Sequence, residues 1–370
     1  MIREGHLSVY DLTLTTRSPL ALGNSRVINK TGYIFDPRNS LLTVLDAQKM
    51  FQLLLERDLA EQYEQFIFSG QTNMFRFLVK ECGFSDGEIR QMSLYRINTA
   101  GALDEKQILR DIIQITRTSD GRVYIPGSSV KGALRTALLL GPVSGTFPRG
   151  DEHLTRDYSF REGSYFNKIE YLNAPERDRY HLRNNPSSSI AQGIRISDSV
   201  PISGQCVALA TKVDVALNGE SRSINLMWEC IPPKTQLHFK LTLDHSILDH
   251  CEFNGRKGIS VDTLMQAVSD YSVYYQEHFV SKFQKPVGCS HVSFQNALLM
   301  GANTGYFAKT MSYPYWKDRA LEEVSGFMQT TFPAHGHRKD PESGISPHML
   351  NYGRYNGKLY PMGLCEVSIR

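Results

Sequence analysis

The chain has 370 residues, of which 41% are hydrophobic and 21% charged. That hydrophobic share excludes a disordered chain, and the length exceeds what one core supports, since single cores stop growing near ~250–300 residues. The net charge is +3, which permits a local basic groove but excludes a strongly supercharged protein. Six scattered cysteines, Cys82, Cys206, Cys230, Cys251, Cys289 and Cys365, form no CxxC pair, so zinc-ribbon spacing is absent. Residues 1–6 lack a secretory leader pattern, and no apolar run approaches the ~20 residues of a membrane helix. The expectation is a cytoplasmic protein with reduced thiols and no membrane partner.

Leu7 to Thr16 reads as a first strand. Leu12 and Leu14 share one face, while Leu7 and Val9 need a bulge or two-sided burial. Arg17 to Arg26 follows as a loop containing Pro19, Gly23 and Asn24. Tyr33–Phe35 and Leu41–Leu45 flank the turn residues Asp36 to Ser40, which predicts a hairpin. Asp46 suits the cap of a helix whose core face is Met50, Phe51, Leu54 and Leu55. Further on, Phe66, Phe75, Phe77 and Leu78 supply core, and Ser85 with Glu88 matches a capping box. Asp111 to Arg117 and Arg122 to Ile125, joined through Asp120-Gly121, predict a second hairpin.

That hairpin delivers the chain to Tyr124-Ile125-Pro126-Gly127-Ser128-Ser129-Val130-Lys131-Gly132-Ala133-Leu134-Arg135. Pro126-Gly127 breaks the strand, and Ser128 or Ser129 can cap a helix. Val130, Leu134, Ala137 and Leu138 make one apolar face; Lys131 and Arg135 lie one turn apart beside it. Gly127 and Gly132 allow another backbone to come close. A helix start with hydroxyls and two cations is suited to phosphate. An ordinary strand–turn–helix with a basic first turn has the same residues.

Gly141 to Gln192 is rich in charges of both signs and ends in Asn184-Asn185-Pro186-Ser187-Ser188-Ser189. It reads as an inserted charged loop region with a linker-like end. From Ile194 the strand pattern resumes. Val207, Leu209, Val213, Val215 and Leu217 precede the turn signal Asn218-Gly219, and Ile224, Leu226 and Trp228 return. Leu237 to Leu243 alternates again, and a helix carries Val261, Leu264, Met265, Val268, Tyr271, Tyr275 and Phe279 on one stripe. Leu298 to Thr310 is a loop with Gly301, Asn303, Gly305, Lys309 and Thr310. Its glycines allow positive φ and close approach, and its lysine and threonine can reach a phosphate. The elements mix without regular strand–helix alternation, which predicts an α+β fold with antiparallel sheets.

Ile125 to Leu139 resembles the signature segment of the RAMP proteins, the RNA-binding subunits of CRISPR effector complexes. Tyr33 to Asp36, Leu41 to Asp46, Ile194-Arg195-Ile196-Ser197-Asp198-Ser199 and Tyr360 to Leu364 are similar to the family of the fifth Csm subunit of type III-A complexes. The resemblance implies two ferredoxin-like (RRM-like) domains, placed here at 1–192 and 193–370, with the insertion at about 141–192. It implies binding of the 3′ part of the guide crRNA, capping of the backbone filament, and support of crRNA maturation in antiviral defence. Implied partners are crRNA, target RNA nearby, neighbouring Csm backbone subunits, and host nucleases for 3′ trimming. It also places the loop after the first strand beside RNA, which makes Arg17, Asn24 and Arg26 candidates next to a solvated-turn alternative. Leu298 to Thr310 resembles the family's glycine-rich loop.

No Ser-His-Asp, Walker, Rossmann or His-Glu-x-x-His pattern is present, so no catalytic residue, cofactor or metal is expected. The alternative function is a RAMP endoribonuclease working by metal-independent acid–base cleavage, with His6, His335 and His337 as candidate bases. His335-Gly336-His337-Arg338-Lys339 and His348 read as a solvated or RNA-adjacent basic loop, because no cysteine or carboxylate set with ligand spacing is recognised beside them.

Overall fold

The computed structural model of the chain describes residues 2–99, 101–103, 109–144, 189–250, 252–253 and 256–370. Strands β1 (Ile2–Glu4), β2 (Leu7–Thr16) and β3 (Gly23–Ile28) come first. The hairpin β4 (Tyr33–Asp36) and β5 (Leu41–Leu45) leads to α1 (Ala47–Glu56), α2 (Ala60–Phe68) and α3 (Asp86–Gln91), and β6 (Ser93–Asn98) returns. β7 (Ile112–Ile115) precedes α4 (Gly127–Ser144). Then come β8 (Ile194–Ile196), β9 (Ala208–Ala216), β10 (Ser221–Cys230), β11 (Gln236–Asp244) and α5 (Val261–His278). The chain continues with β12 (Ala297–Leu299), α6 (Ala320–Thr331), β13 (Met349–Tyr355), β14 (Lys358–Pro361) and β15 (Leu364–Ile369).

β2 sits in the middle of a six-stranded sheet with order β12-β15-β2-β11-β8, to which β1 adds beside β2. All its pairings are antiparallel. Taken along the chain, β2, α4, β8, β11, α5 and β15 make a βαββαβ unit whose strands lie in the order 4-1-3-2, the ferredoxin-like arrangement. α4 and α5 pack against each other and against this sheet. Leu12 and Leu14 of β2, Leu241 and Leu243 of β11, and Leu264 and Val268 of α5 are fully buried between these layers. A second six-stranded sheet has the order β14-β13-β9-β10-β7-β3. It is antiparallel except where β10 meets β7 in parallel. β4, β5 and β6 form a third sheet, and the helices α1 to α3 pack on it around Met50, Leu54, Phe66, Phe77 and Leu78.

The α+β class with mainly antiparallel sheets is therefore present, but not as one sequential unit per half. In the βαββαβ unit, β2 and α4 lie before residue 192 and the other four elements after it. Alternation of apolar residues marks a strand; it does not say which strand lies beside it, and here the first strand pairs with the last.

Local expectations fare differently from one another. Asp46 caps α1 by accepting from Gln48 N and Lys49 N at 3.1 and 3.2 Å, and Ser85 with Glu88 forms the capping box. Of the expected face of α1, Met50 and Leu54 are buried, whereas Phe51 and Leu55 are exposed. The second hairpin is only partly formed. β7 pairs with β3 and β10 instead, and Val123 bridges both Arg117 and Ile202. Most of the 141–192 insertion, residues 145–188, lies outside the described residues, as does Cys251. The other five cysteines are free thiols. Among the described residues no helix is long and apolar enough to cross a membrane.

Candidate nucleic-acid interface

The turn into α4 is clasped by the segment after β8. Val123 and Ile202 exchange backbone hydrogen bonds at 2.9 and 2.8 Å, and Ser199 N donates to Ile125 O at 2.9 Å. Ile125 N donates to the Ser199 hydroxyl, and Gly127 N donates to the Asp198 carboxylate, each at 2.9 Å. The helix start is thus capped from a distant segment by Asp198. Neither Ser128 nor Ser129 was needed for that bond. A carboxylate already sits where the helix dipole favours an anion, and it opposes a phosphate at that point. The basic pair lies beyond it: Lys131 and Arg135, both half-buried, line a shallow cleft with Leu134, Leu138 and the 190–194 segment.

The glycines of this region do different work. A Cβ on Gly127 would stand 2.2 Å from Ile196 O and 2.4 Å from Ser197 O, so this glycine lets α4 approach the protein's own strand. Gly132 is exposed, and a Cβ there would meet no heavy atom within 4 Å. It leaves open space over this face of the helix.

The loop after β2 and the glycine-containing loop after β12 meet. Gly301 has φ +89°, its Cβ would stand 2.3 Å from Ala21 O, and Ala302 N donates to that same oxygen at 2.7 Å. The turn before β15 joins them: Gly363 N donates to Pro19 O at 2.8 Å and Met300 N to Gly363 O at 2.9 Å. Several candidate side chains are spent on holding this junction. Arg17 donates to the carbonyls of Ser293 and Gln295 at 3.0 and 2.7 Å and pairs with Glu366 at 3.0 Å. Asn303, at φ +59°, donates to Tyr352 O at 3.0 Å, and Thr310, itself buried, accepts from Ser312 N at 3.0 Å. Lys309 donates to Gly301 O at 3.0 Å, and loss of water around its ammonium pulls its pKa below the ordinary lysine value. A Cβ on Gly305, at φ +82°, would stand 3.3 Å from Asn351 Nδ2. Asn24 and Arg26 lie on β3, the edge strand of the second sheet, rather than in a loop.

Topology gathers these pieces. The antiparallel order makes α4 start, α5 finish and β12 finish at the end of the central sheet where β2 runs into Arg17. The first-strand loop, the glycine-containing loop and the start of α4 thus occupy one end of one sheet, while Lys131 and Arg135 lie further along α4, toward the 190–194 segment.

A model of the RAMP superfamily matches residues 13–282, more than half of the chain. The chain belongs to the RAMP superfamily. This RAMP chain is 25% identical over 316 residues to the CRISPR system Cms protein Csm5 of Streptococcus thermophilus, covering 82% of the chain and 80% of that protein. It is 24% identical over 359 residues to the Csm5 of Enterococcus italicus, covering 88% and 86%. Two solved folds align along nearly the whole length. One is a chain of a cryo-EM Csm–crRNA–target RNA ternary complex from a type III-A CRISPR-Cas system, with TM-score 0.62, 17% identity and coverage of 97% and 100%. The other is the crystal structure of T. onnurineus Csm5, with TM-score 0.61, 18% identity and coverage of 96% and 99%.

Two polar groupings escaped the sequence. Glu229 is buried between β7, β10 and β6. It pairs with Arg117 at 3.1 Å and accepts from Ile115 N at 3.0 Å and from the Tyr95 hydroxyl at 2.6 Å. Burial first, and the Glu229 charge second, hold the Tyr95 phenol above the usual tyrosine value. No local spacing links residues 95, 117 and 229. The second grouping corrects the basic-loop expectation. His337 is buried against Asp340, only three residues on, and His348 reaches the same carboxylate.

Proposed function

We propose that this chain is the Csm5-type subunit of a type III-A CRISPR effector complex, a non-catalytic protein that holds the 3′ part of the guide crRNA. The observation that carries the RNA assignment is the open helix surface at Gly132, where a Cβ would meet no heavy atom within 4 Å, with Lys131 and Arg135 beside it on α4. Lys131 and Arg135 bind guide phosphates from beside Gly132. Glycines and cations are the groups that a single strand needs for close backbone approach and charge neutralisation. The likeness to Csm5 proteins over most of their length supports the wider role: capping a filament of Csm backbone subunits, close to target RNA, and supporting trimming of the crRNA 3′ end by host nucleases. The endoribonuclease alternative loses one of its bases, since His337 is committed to Asp340 inside the fold.

The test is RNA binding by Lys131→Ala/Arg135→Ala across a salt series. Each lost phosphate contact on a single strand removes about 0.7 from the slope of log affinity against log salt, so the pair should flatten it by about 1.4. Affinity should fall, and the RNA should remain uncut throughout. A folded double variant with wild-type affinity and slope would place the RNA elsewhere.

A further inference from the structure

We propose that His337, Asp340 and His348 form a binding site for one divalent transition-metal ion of the zinc type. One imidazole nitrogen from each histidine and one Asp340 oxygen all lie within 4.8 Å of one another. Two left-handed glycines, Gly336 at φ +75° and Gly344 at φ +73°, fold the segment so that these side chains converge. His337 Nδ1 lies 2.8 Å from Asp340 Oδ2, and His348 Nδ1 lies 2.6 Å from Oδ1. One outer group holds the Asp340 carboxylate directly and two more hold the backbone of His337 and Ser346. Ser346 Oγ donates to Asp340 Oδ2 at 2.5 Å, Ser325 Oγ donates to the His337 carbonyl at 2.7 Å, and the Tyr313 hydroxyl donates to the Ser346 carbonyl at 2.7 Å. Such outer hydrogen bonds are what orient ligands around a metal.

Charge gives the reason for an ion. The Asp340 side chain is 2% exposed, and a buried carboxylate is costly without a compensating charge. Among the described residues no lysine or arginine pairs with it; its partners are two imidazoles and a hydroxyl. A divalent ion would supply the balancing charge. Imidazole nitrogen with one carboxylate suits zinc and its first-row neighbours, whereas magnesium and calcium prefer all-oxygen sets. The His348 side chain is 32% exposed, against 6% for His337, so the site opens on the His348 side for entry and for a water as fourth ligand. Ligands at about 2.0–2.1 Å from a tetrahedral ion stand about 3.3 Å apart, so each N···O pair must open by roughly 0.5–0.7 Å when the ion replaces the bridging protons. The half-exposed His348 has the freedom to make that move.

The experiment uses the full chain, stripped with EDTA, desalted and then titrated with zinc chloride. Wild type should retain one zinc per chain by elemental analysis. With zinc a hundredfold above its Kd, melting should rise by roughly 3–4 °C for a chain of this size. Magnesium chloride should give no rise. His348→Ala should lose both the zinc and the shift while melting near the stripped wild type, and Asp340→Asn should also lose the zinc. Wild type that retains no zinc and melts unchanged in its presence overturns the proposal. So does a full equivalent of zinc retained by both variants.

Discussion

Gly132→Ala separates the demands of the helix from those of a bound strand. Gly132 lies inside α4, is exposed, and has no heavy atom within 4 Å of where its Cβ would stand. For the folded protein alone the substitution is favourable. Alanine is better than glycine in a helix interior by about 0.8–1.0 kcal/mol, and nothing collides with the new methyl group. Unfolding entropy of about 2.1 cal/mol/K per residue turns that gain into only about 1 °C of melting temperature for a chain this long. Denaturant titration is therefore the better stability assay. For RNA the sign reverses. A strand lying over Gly132 between Lys131 and Arg135 would meet the methyl group, and a loss of about 1.4 kcal/mol would weaken affinity tenfold. The variant should be more stable and bind worse. A stabilised protein with unchanged affinity for guide RNA would refute the idea that the open glycine marks where RNA approaches. A destabilised one would refute the open surface itself.

Two further substitutions test the frame around the site. Gly127→Ala places a methyl group against the Ile196 and Ser197 carbonyl oxygens, so α4 must shift from β8; denaturant titration should show a loss of about 1–3 kcal/mol, and a neutral effect would contradict the packing. Glu229→Ala leaves Arg117 buried without its carboxylate and should cost about 3–5 kcal/mol, while Arg117→Met/Glu229→Leu should cost less than its two single changes combined; additivity in that cycle would show that the pair is not coupled.

Legibility followed the range of the interaction. The caps at Asp46 and Ser85 and the turn at Asn218-Gly219 are decided within four residues, and the sequence shows them directly. The apolar stripe of α5 is legible for the same reason: its period is a property of the helix itself. The signature segment showed where a helix would start but not what would cap it. Asp198 reaches Gly127 from 71 residues away, so Ser128 and Ser129 looked like the natural caps. Gly301 was legible as a point of close approach, but its partner, the Ala21 carbonyl, is set by tertiary packing. The loop lysine had the right chemistry for phosphate, yet its ammonium turns back to a carbonyl of its own loop. Spacing also misled at the histidines. His335-x-His337 is the local pair in the sequence, while the groups that converge on His337 are the Asp340 carboxylate and the His348 imidazole.

The order of the central sheet makes the site a property of the whole chain. β15 lies between β12 and β2, and its preceding turn bridges the loops that follow those two strands. Gly363 N on Pro19 O and Met300 N on Gly363 O add a third segment to the direct bond from Ala302 N to Ala21 O that joins the Arg17 loop and the Gly301 loop. Arg17 strengthens the same join by spanning Ser293, Gln295 and Glu366. The last strand thus reinforces the surface that the first-strand loop and the glycine-containing loop share, and closing its contact with β2 means closing nearly the full length of the chain. Loop closure over such a separation carries an entropic cost that only the finished sheet repays. A surface that gathers the first and last segments is complete only when every element between them is in place.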